Sequence, residues 1–299
     1  MIDVYSKIER MRIYREMTRR QIMLERGFYI KLSRIIAAIY NEVARAEEEG
    51  GRGLEILNSA TNKHQSKLIK DFKIQGKRTW ITFGGWALES FYNGVGVKSN
   101  SLYTKKEVPT TPLEEFYFEM NLWLETEGAA NVVGISKTMK KRLAKIIQTG
   151  MNNGDSHKEI ALQLKRKGKI ESINRARRIA RTETHTAAVR SVDAGLKSTG
   201  VQMEKEWFAA ADARTRKAHN DANEERVLQD QYFIETGEDM MLPGYMGGSA
   251  WNVVNCRCIV LYFTLKKSLR LIVNHRGRNY VIKKSNKRTN TNETYGRAI

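Results

Sequence analysis

Apolar positions return every third or fourth residue through much of this chain, the spacing that lays one stripe of side chains along a helix. Phe28, Leu32, Ile35, Ile36, Ile39 and Val43 carry the first stripe, which predicts a helix from the start of the chain to Arg45, closed by EEEGGRG. A second helix is expected from Leu54 to about Ile74. The stretch KRTWITFGGWALESFYNGVGVKSNSLYTKKEVPTTP mixes aromatic residues with Gly, Ser, Pro109 and Pro112, and predicts an irregular connection. Helices return from Leu113 to about Glu127 and through NVVGISKTMKKRLAKIIQTGMNNG, where Leu143, Ile146 and Ile147 keep helical spacing and Gly150 and Gly154 supply stops. Ser156 and Glu159 form a capping box ahead of Ile160 and Leu164. A further helix, INRARRIARTETHTAAVRSVDAGLKSTG, sets Ile173, Ala176, Ile179 and Ala180 on one side and ends near Gly195 or Gly200.

After Gly200 the pattern shifts. VQMEKEWFAA and NVVNCRCIVLYF alternate or run apolar as strands do, with Gly, Pro, Asn and Asp concentrated between them. RLIVNHRGRNYVI predicts a hairpin around NHRG, and KKSNKRTNTNETYGRAI has the polar composition of a flexible tail. The expected fold class is α+β, a mainly helical N-terminal region followed by a C-terminal α+β domain with a small antiparallel sheet. The expected boundaries are 1–110 for the helical region with its irregular insertion, 111–265 for the α+β domain, and 266–299 for a basic hairpin and tail.

Charge narrows the partners. Fifty-two Lys plus Arg against 33 Asp plus Glu give +19, the sign that attracts phosphate backbones or anionic surfaces. Between Lys137 and Arg190 lie Lys140, Lys141, Arg142, Lys145, Lys165, Arg166, Lys167, Lys169, Arg175, Arg177, Arg178 and Arg181. From Lys266 to Arg288 there is no acid at all, only Lys266, Lys267, Arg270, Arg276, Arg278, Lys283, Lys284, Lys287 and Arg288 among the charged residues. Such runs neutralise phosphates without reading sequence, so double-stranded DNA is the expected partner, bound in a salt-sensitive way. An acidic protein partner, as for a scaffold, is the alternative. Two cysteines cannot staple a chain of this size, and the N-terminus has no apolar signal core, so a reducing, intracellular setting is expected. IIAAIY and CIVLYF fall far short of the roughly 20 residues a membrane span needs, so no membrane partner is expected.

Two segments carry candidate chemistry. In WNVVNCRCIV, a strand would put Cys256 and Cys258 on one face and Arg257 on the other. Two thiolates are half of a tetrahedral zinc site that His219 with Asp212, or His185, could complete. The usual structural zinc spacing places more residues between cysteines, and free cysteine is most often a small buried hydrophobe, so burial in a central strand without a cofactor is the favoured reading. In DARTRKAHNDANEER, the residues Asp212, His219, Asp221, Glu224 and Glu225 could hold a divalent ion for phosphodiester cleavage, and a hydrolase using Cys256 and His219 is a further alternative. The interleaved charges fit ordinary ion pairing better. In that reading Asp212 caps a helix beginning at Arg214, while Arg214 and Arg216 pair with Glu183.

The second half resembles the Mu F-like phage minor head proteins, the phage head morphogenesis family, over roughly residues 130–263. GISKTMKKRLAKIIQTGMNNGDSHKEIALQL is similar to that family's lead-in, and RARRIARTETHTAAVRS, with Arg181, Thr182 and Glu183, to its Arg-Thr-Glu helix. Trp207, Asp212, Arg214, Thr215, Arg216 and His219 resemble its central segment, and Phe233, Pro243 and Asn255-Cys256-Arg257-Cys258 its closing block. The chain departs from the pattern at Asn223, where a glycine is frequent, and at MLPGY, where a tyrosine often precedes the proline. Asn223 still tolerates the left-handed backbone a glycine would supply. The resemblance implies a non-enzymatic minor capsid component, present in few copies inside the virion near the portal protein and shell, that influences assembly, packaging or DNA ejection and passes through the host cytoplasm during assembly.

Overall fold

In a computed structural model the described residues are 7–94, 110–210 and 212–265, with strand fragments at 272–273 and 279–280. Five long helices come first: α1 (Lys7–Gly50), α2 (Leu57–Gly94), α3 (Thr110–Glu125), α4 (Glu127–Asn153) and α5 (His157–Lys197). Short elements follow: β1 (Met203–Phe208), α6 (Lys217–Asp221), β2 (Arg226–Leu228), α7 (Ala250–Val253), β3 (Ile259–Thr264), β4 (Ile272–Val273) and β5 (Asn279–Tyr280). The α+β class and its order, helices then a small antiparallel sheet, are as the sequence predicts. No helix among the described residues is long and apolar enough to cross a membrane.

The stripe of α1 is buried in full, from Phe28 to Val43, in one core with Leu143, Ile147, Ile160, Leu164, Ala176 and Ala180. Phe28 meets Phe72 edge-on at 4.9 Å. Each buried Phe, Leu, Ile or Val of this set contributes about 1.5–3 kcal/mol of burial free energy, so the stripe and its partners weigh heavily in the stability of their unit. Gly154, at φ 76°, closes α4, its N–H donating to the carbonyls of Gly150 and Met151. The capping box forms: Ser156 N donates to Glu159 Oε2 at 2.7 Å, and Glu159 N points back at Ser156 Oγ, 3.4 Å away.

Several expectations are corrected. The helix predicted to end near Ile74 runs on to Gly94, because Phe72, Gly76, Thr79, Trp80, Phe83, Ala87, Leu88 and Tyr92 continue a buried stripe straight through the Gly84-Gly85 pair. Gly84 is required there: a Cβ would lie 2.3 Å from the Phe116 ring and 2.7 Å from the Ser191 carbonyl oxygen. The two helices expected between Ser156 and Gly200 are one, α5. Ile173 does not share the buried side of Ala176 and Ala180, being 41% exposed. The left-handed residue near His219 is Glu224 (φ 70°) rather than Asn223, whose Oδ1 instead accepts from Ala209 N at 2.9 Å.

The chain forms two compact units, one of residues 1–20, 79–120 and 185–299, the other of residues 21–78 and 121–184. Neither 110 nor 265 separates them, because α1, α2, α3 and α5 each contribute to both and linker composition cannot mark a boundary inside a helix. The first unit holds the sheet, ordered β2-β1-β3 with both pairs antiparallel. Trp207 pairs with Val260 in β3, and on its other edge its N–H donates to Glu225 O (2.9 Å) while its carbonyl accepts from Glu224 N (2.8 Å). The predicted C-terminal hairpin is present as Ile272 opposite Tyr280 and Val273 opposite Asn279. The basic residues proposed from sequence for DNA contact, Lys266 to Arg288, lie outside the described residues.

Candidate functional site

The short elements after β1 converge on His219. It sits in α6, 1% exposed, with the edge of Trp207 against its ring at 5.2 Å and 80°. Trp207 in turn packs edge-on against Phe233. The Nε2 of His219 lies 3.2 Å from Asn252 Oδ1, an acceptor held by α7, so Nε2 carries the hydrogen and Nδ1 presents its lone pair. That lone pair faces two sulfurs, Cys258 Sγ at 3.4 Å and Cys256 Sγ at 3.7 Å. The cysteines precede β3 rather than lying in it, and β1, not β3, is the central strand. Asn255, at φ 59°, turns the chain so that both thiols point inward. Both are free and buried.

The alternation expected of Cys-Arg-Cys therefore survives outside a ladder. Arg257 points the other way and grips Asp212 with both terminal guanidinium nitrogens, Nη1 to Oδ2 and Nη2 to Oδ1, the latter at 2.7 Å. That bond, helped by Arg214 N at 2.9 Å, holds the Asp212 carboxyl well below the usual carboxylate range. Asp212 thus organises a turn ahead of α6, which begins at Lys217 and not at Arg214. Arg216 donates to Val254 O at 2.6 Å and lies over the Trp251 ring, 5.1 Å from its centre. The pairing of Arg214 and Arg216 with Glu183 is not what forms: Arg214 lies 3.6 Å from Asp212, and Glu183 accepts from Asn131 at 2.7 Å. Desolvation pushes the Glu183 carboxyl up to about 7. Its motif neighbour Arg181 pairs with Glu25 at 3.2 Å, and Thr182 is buried.

Two further acids suggested for a hydrolytic ion are engaged elsewhere. Asp221 pairs with Lys217 at 3.0 Å, and Glu225 caps the amides of Ile234 and Glu235 at 2.8 and 3.2 Å. Among the described residues, the group of His, Cys, Asp and Glu able to hold a metal ion is His219, Cys256 and Cys258, whose ligand atoms lie within 4.8 Å of one another. Burial raises the Cys256 thiol, whereas the hydrogen bond from the Cys256 thiol lowers that of Cys258. A second buried imidazole, His185, has no hydrogen-bond partner at Nε2, and burial with the nearby His219 charge pulls its pKa down to about 4.

Two charged groups in β1 escaped the sequence reading. Glu206 is buried between Arg10 and Arg226, with Arg226 Nη2 at 2.5 Å and the Arg226 guanidinium 3.9 Å above the Phe263 ring. Lys205 is fully buried, donates to Met241 O at 2.7 Å, and is pulled down to about 8 by desolvation. The signal was in MEKEWF: charged residues inside a strand flanked by Trp and Phe need partners, and their alternation assigns them to opposite faces.

Residues 141–261 match the family model described as Phage Mu protein F like protein, a span that contains every motif residue from Arg181 to Cys258. Over 123 residues the chain is 32% identical to Minor head protein GP7 of Bacillus phage SPP1, covering 40% of this chain and 39% of that protein. Over 118 residues it is 33% identical to NAD(+)--arginine ADP-ribosyltransferase EFV of Enterococcus faecalis, covering 38% of this chain and 24% of that protein. The chain thus spans well under half the length of either curated relative. No solved structure matches.

Proposed function

Taking as premise that the chain is Mu F-like over residues 141–261 and akin to a minor head protein, we propose that it is a non-enzymatic minor capsid component of a bacteriophage head. It sits inside the virion near the portal, contacts double-stranded DNA without regard to sequence, and aids assembly, packaging or ejection. The observation that carries the DNA contact is charge placement. Lys137, Lys141 and Lys145 repeat every fourth residue and are exposed on α4, and Lys165, Arg166, Lys167, Lys169, Arg177 and Arg178 are exposed on α5. Few of them are neutralised among the described residues: Lys165 pairs with Glu48, while α4 adds the Arg142–Glu171 pair. Such a surface binds by counterion release.

The test is a titration of the full chain with unrelated duplexes across a salt series, beside a variant ending at Leu265 and a Lys137→Glu/Lys141→Glu/Lys145→Glu variant. Equal affinity for all duplexes, falling steeply with salt, is expected. For every phosphate that a variant no longer neutralises, the log–log slope should flatten by about 0.9. No binding at low salt would overturn the DNA reading and turn the search to an acidic protein partner.

A further inference from the structure

One imidazole lone pair faces two buried thiols. Nδ1 of His219 accepts a single S–H, yet sulfurs stand at 3.4 and 3.7 Å from it. A tetrahedral ion offers a geometry that uses all three atoms. With Zn–S bonds of about 2.3 Å and Zn–N of about 2.0–2.1 Å, tetrahedral angles put each sulfur about 3.6 Å from the nitrogen. The two observed separations bracket that value. The opposite ring nitrogen is already fixed by Asn252 Oδ1, the outer-shell acceptor that metal-bound histidines characteristically have.

We propose that Cys256 Sγ, Cys258 Sγ and His219 Nδ1 form a structural zinc centre that ties α6 to the entry of β3. Two thiolates with one imidazole select a soft or borderline ion, and oxygen-seeking Mg2+ or Ca2+ is disfavoured by the absence of any carboxylate in the cluster. Binding forms two Zn–S bonds and one Zn–N bond and releases the two thiol protons to solvent, with no redox change. The fourth position is open to water. The site serves the fold: the metal ties α6, of five residues, to the segment that follows α7, of four, and neither helix is long enough to be stable alone.

The full chain, purified under reductant without chelator, should carry about one zinc per chain by elemental analysis and take up Co2+ with thiolate charge-transfer absorption. Cys256→Ser and Cys258→Ser, checked for fold by circular dichroism, should lower occupancy roughly tenfold or more. Because a variant can fail to fold, the parent alone gives a second reading: chelation should lower its melting temperature and Zn2+ restore it. A folded, reduced parent that binds neither Zn2+ nor Co2+ overturns the proposal, as does uptake that both serine variants leave unchanged.

Discussion

Replacing single helical glycines by alanine probes the helix that the sequence reading missed. Gly84 in α2 and Gly134 in α4 are both helical, so Ala at either gains the same propensity term, about 0.8–1.0 kcal/mol. Their surroundings differ. Nothing lies within 4 Å of a Cβ at Gly134, whereas at Gly84 it would meet the buried Phe116 ring at 2.3 Å and the Ser191 backbone oxygen at 2.7 Å. A ring can turn, but a carbonyl inside α5 moves only with its helix, so overpacking of about 1–3 kcal/mol is expected. Gly134→Ala should therefore be stabilised by close to 1 kcal/mol, and Gly84→Ala should fall below it by the whole overpacking cost. At about 2–4 °C per kcal/mol, the two variants should melt roughly 2–12 °C apart. The glycines lie in different units, so thermal melts should be read beside amide exchange within each unit. Gly84→Ala as stable as Gly134→Ala would refute the close approach of α2, α3 and α5. Gly195→Ala is a second check, since its Cβ would meet Gly84 O at 2.9 Å.

Ser156→Ala removes the side-chain half of the capping box and should cost about 1 kcal/mol, with Ser156→Gly costing only a few tenths, read in exchange of the first turn of α5. Glu183 should make stability pH-dependent: its folded pKa of about 7 exceeds the ordinary 4.5, so the native state holds the proton more tightly. That contribution is complete below about pH 4.5 and is lost as pH rises to about 7, on the order of 3 kcal/mol across the window. Glu183→Gln should flatten that slope in denaturant titrations at stepped pH, and a slope equal to the parent's would refute the assignment.

What the sequence disclosed followed from how locally each signal was written. The stripe Phe28 to Val43 and the Ser156/Glu159 box are set by neighbours on one helix, and both stand as read. The errors arose where a residue type has two physical uses. Gly84-Gly85 looked like a breaker because glycine supplies no propensity, yet here it supplies room for another helix's carbonyl, which no local pattern reveals. Asp212 looked like a helix cap because Asp before a basic run often is one. Its carboxylate instead goes to Arg257, 45 positions away, so its partner could not be read from local spacing. Lys205 and Glu206 were legible as charges but not as buried, because their partners Met241, Arg10 and Arg226 come from three separate segments.

The Asn-Cys-Arg-Cys block sends its side chains to two sides of one short segment. Asn255 takes the left-handed turn at φ 59°, and the extended residues after it alternate, so the flanking cysteines enter the dry side with His219 while Arg257 leaves it. Arg257 then clamps Asp212, whose carboxylate also receives Arg214 N, and so fixes the approach to the helix that carries His219. The inward and outward residues of one segment thus anchor the same helix from two sides. Removing Arg257 would loosen the helix that presents Nδ1 without touching a sulfur, so Arg257→Ala should weaken zinc uptake while leaving its stoichiometry unchanged. The same experiment on Arg214, which is largely exposed and reaches Asp212 only at 3.6 Å, should change neither.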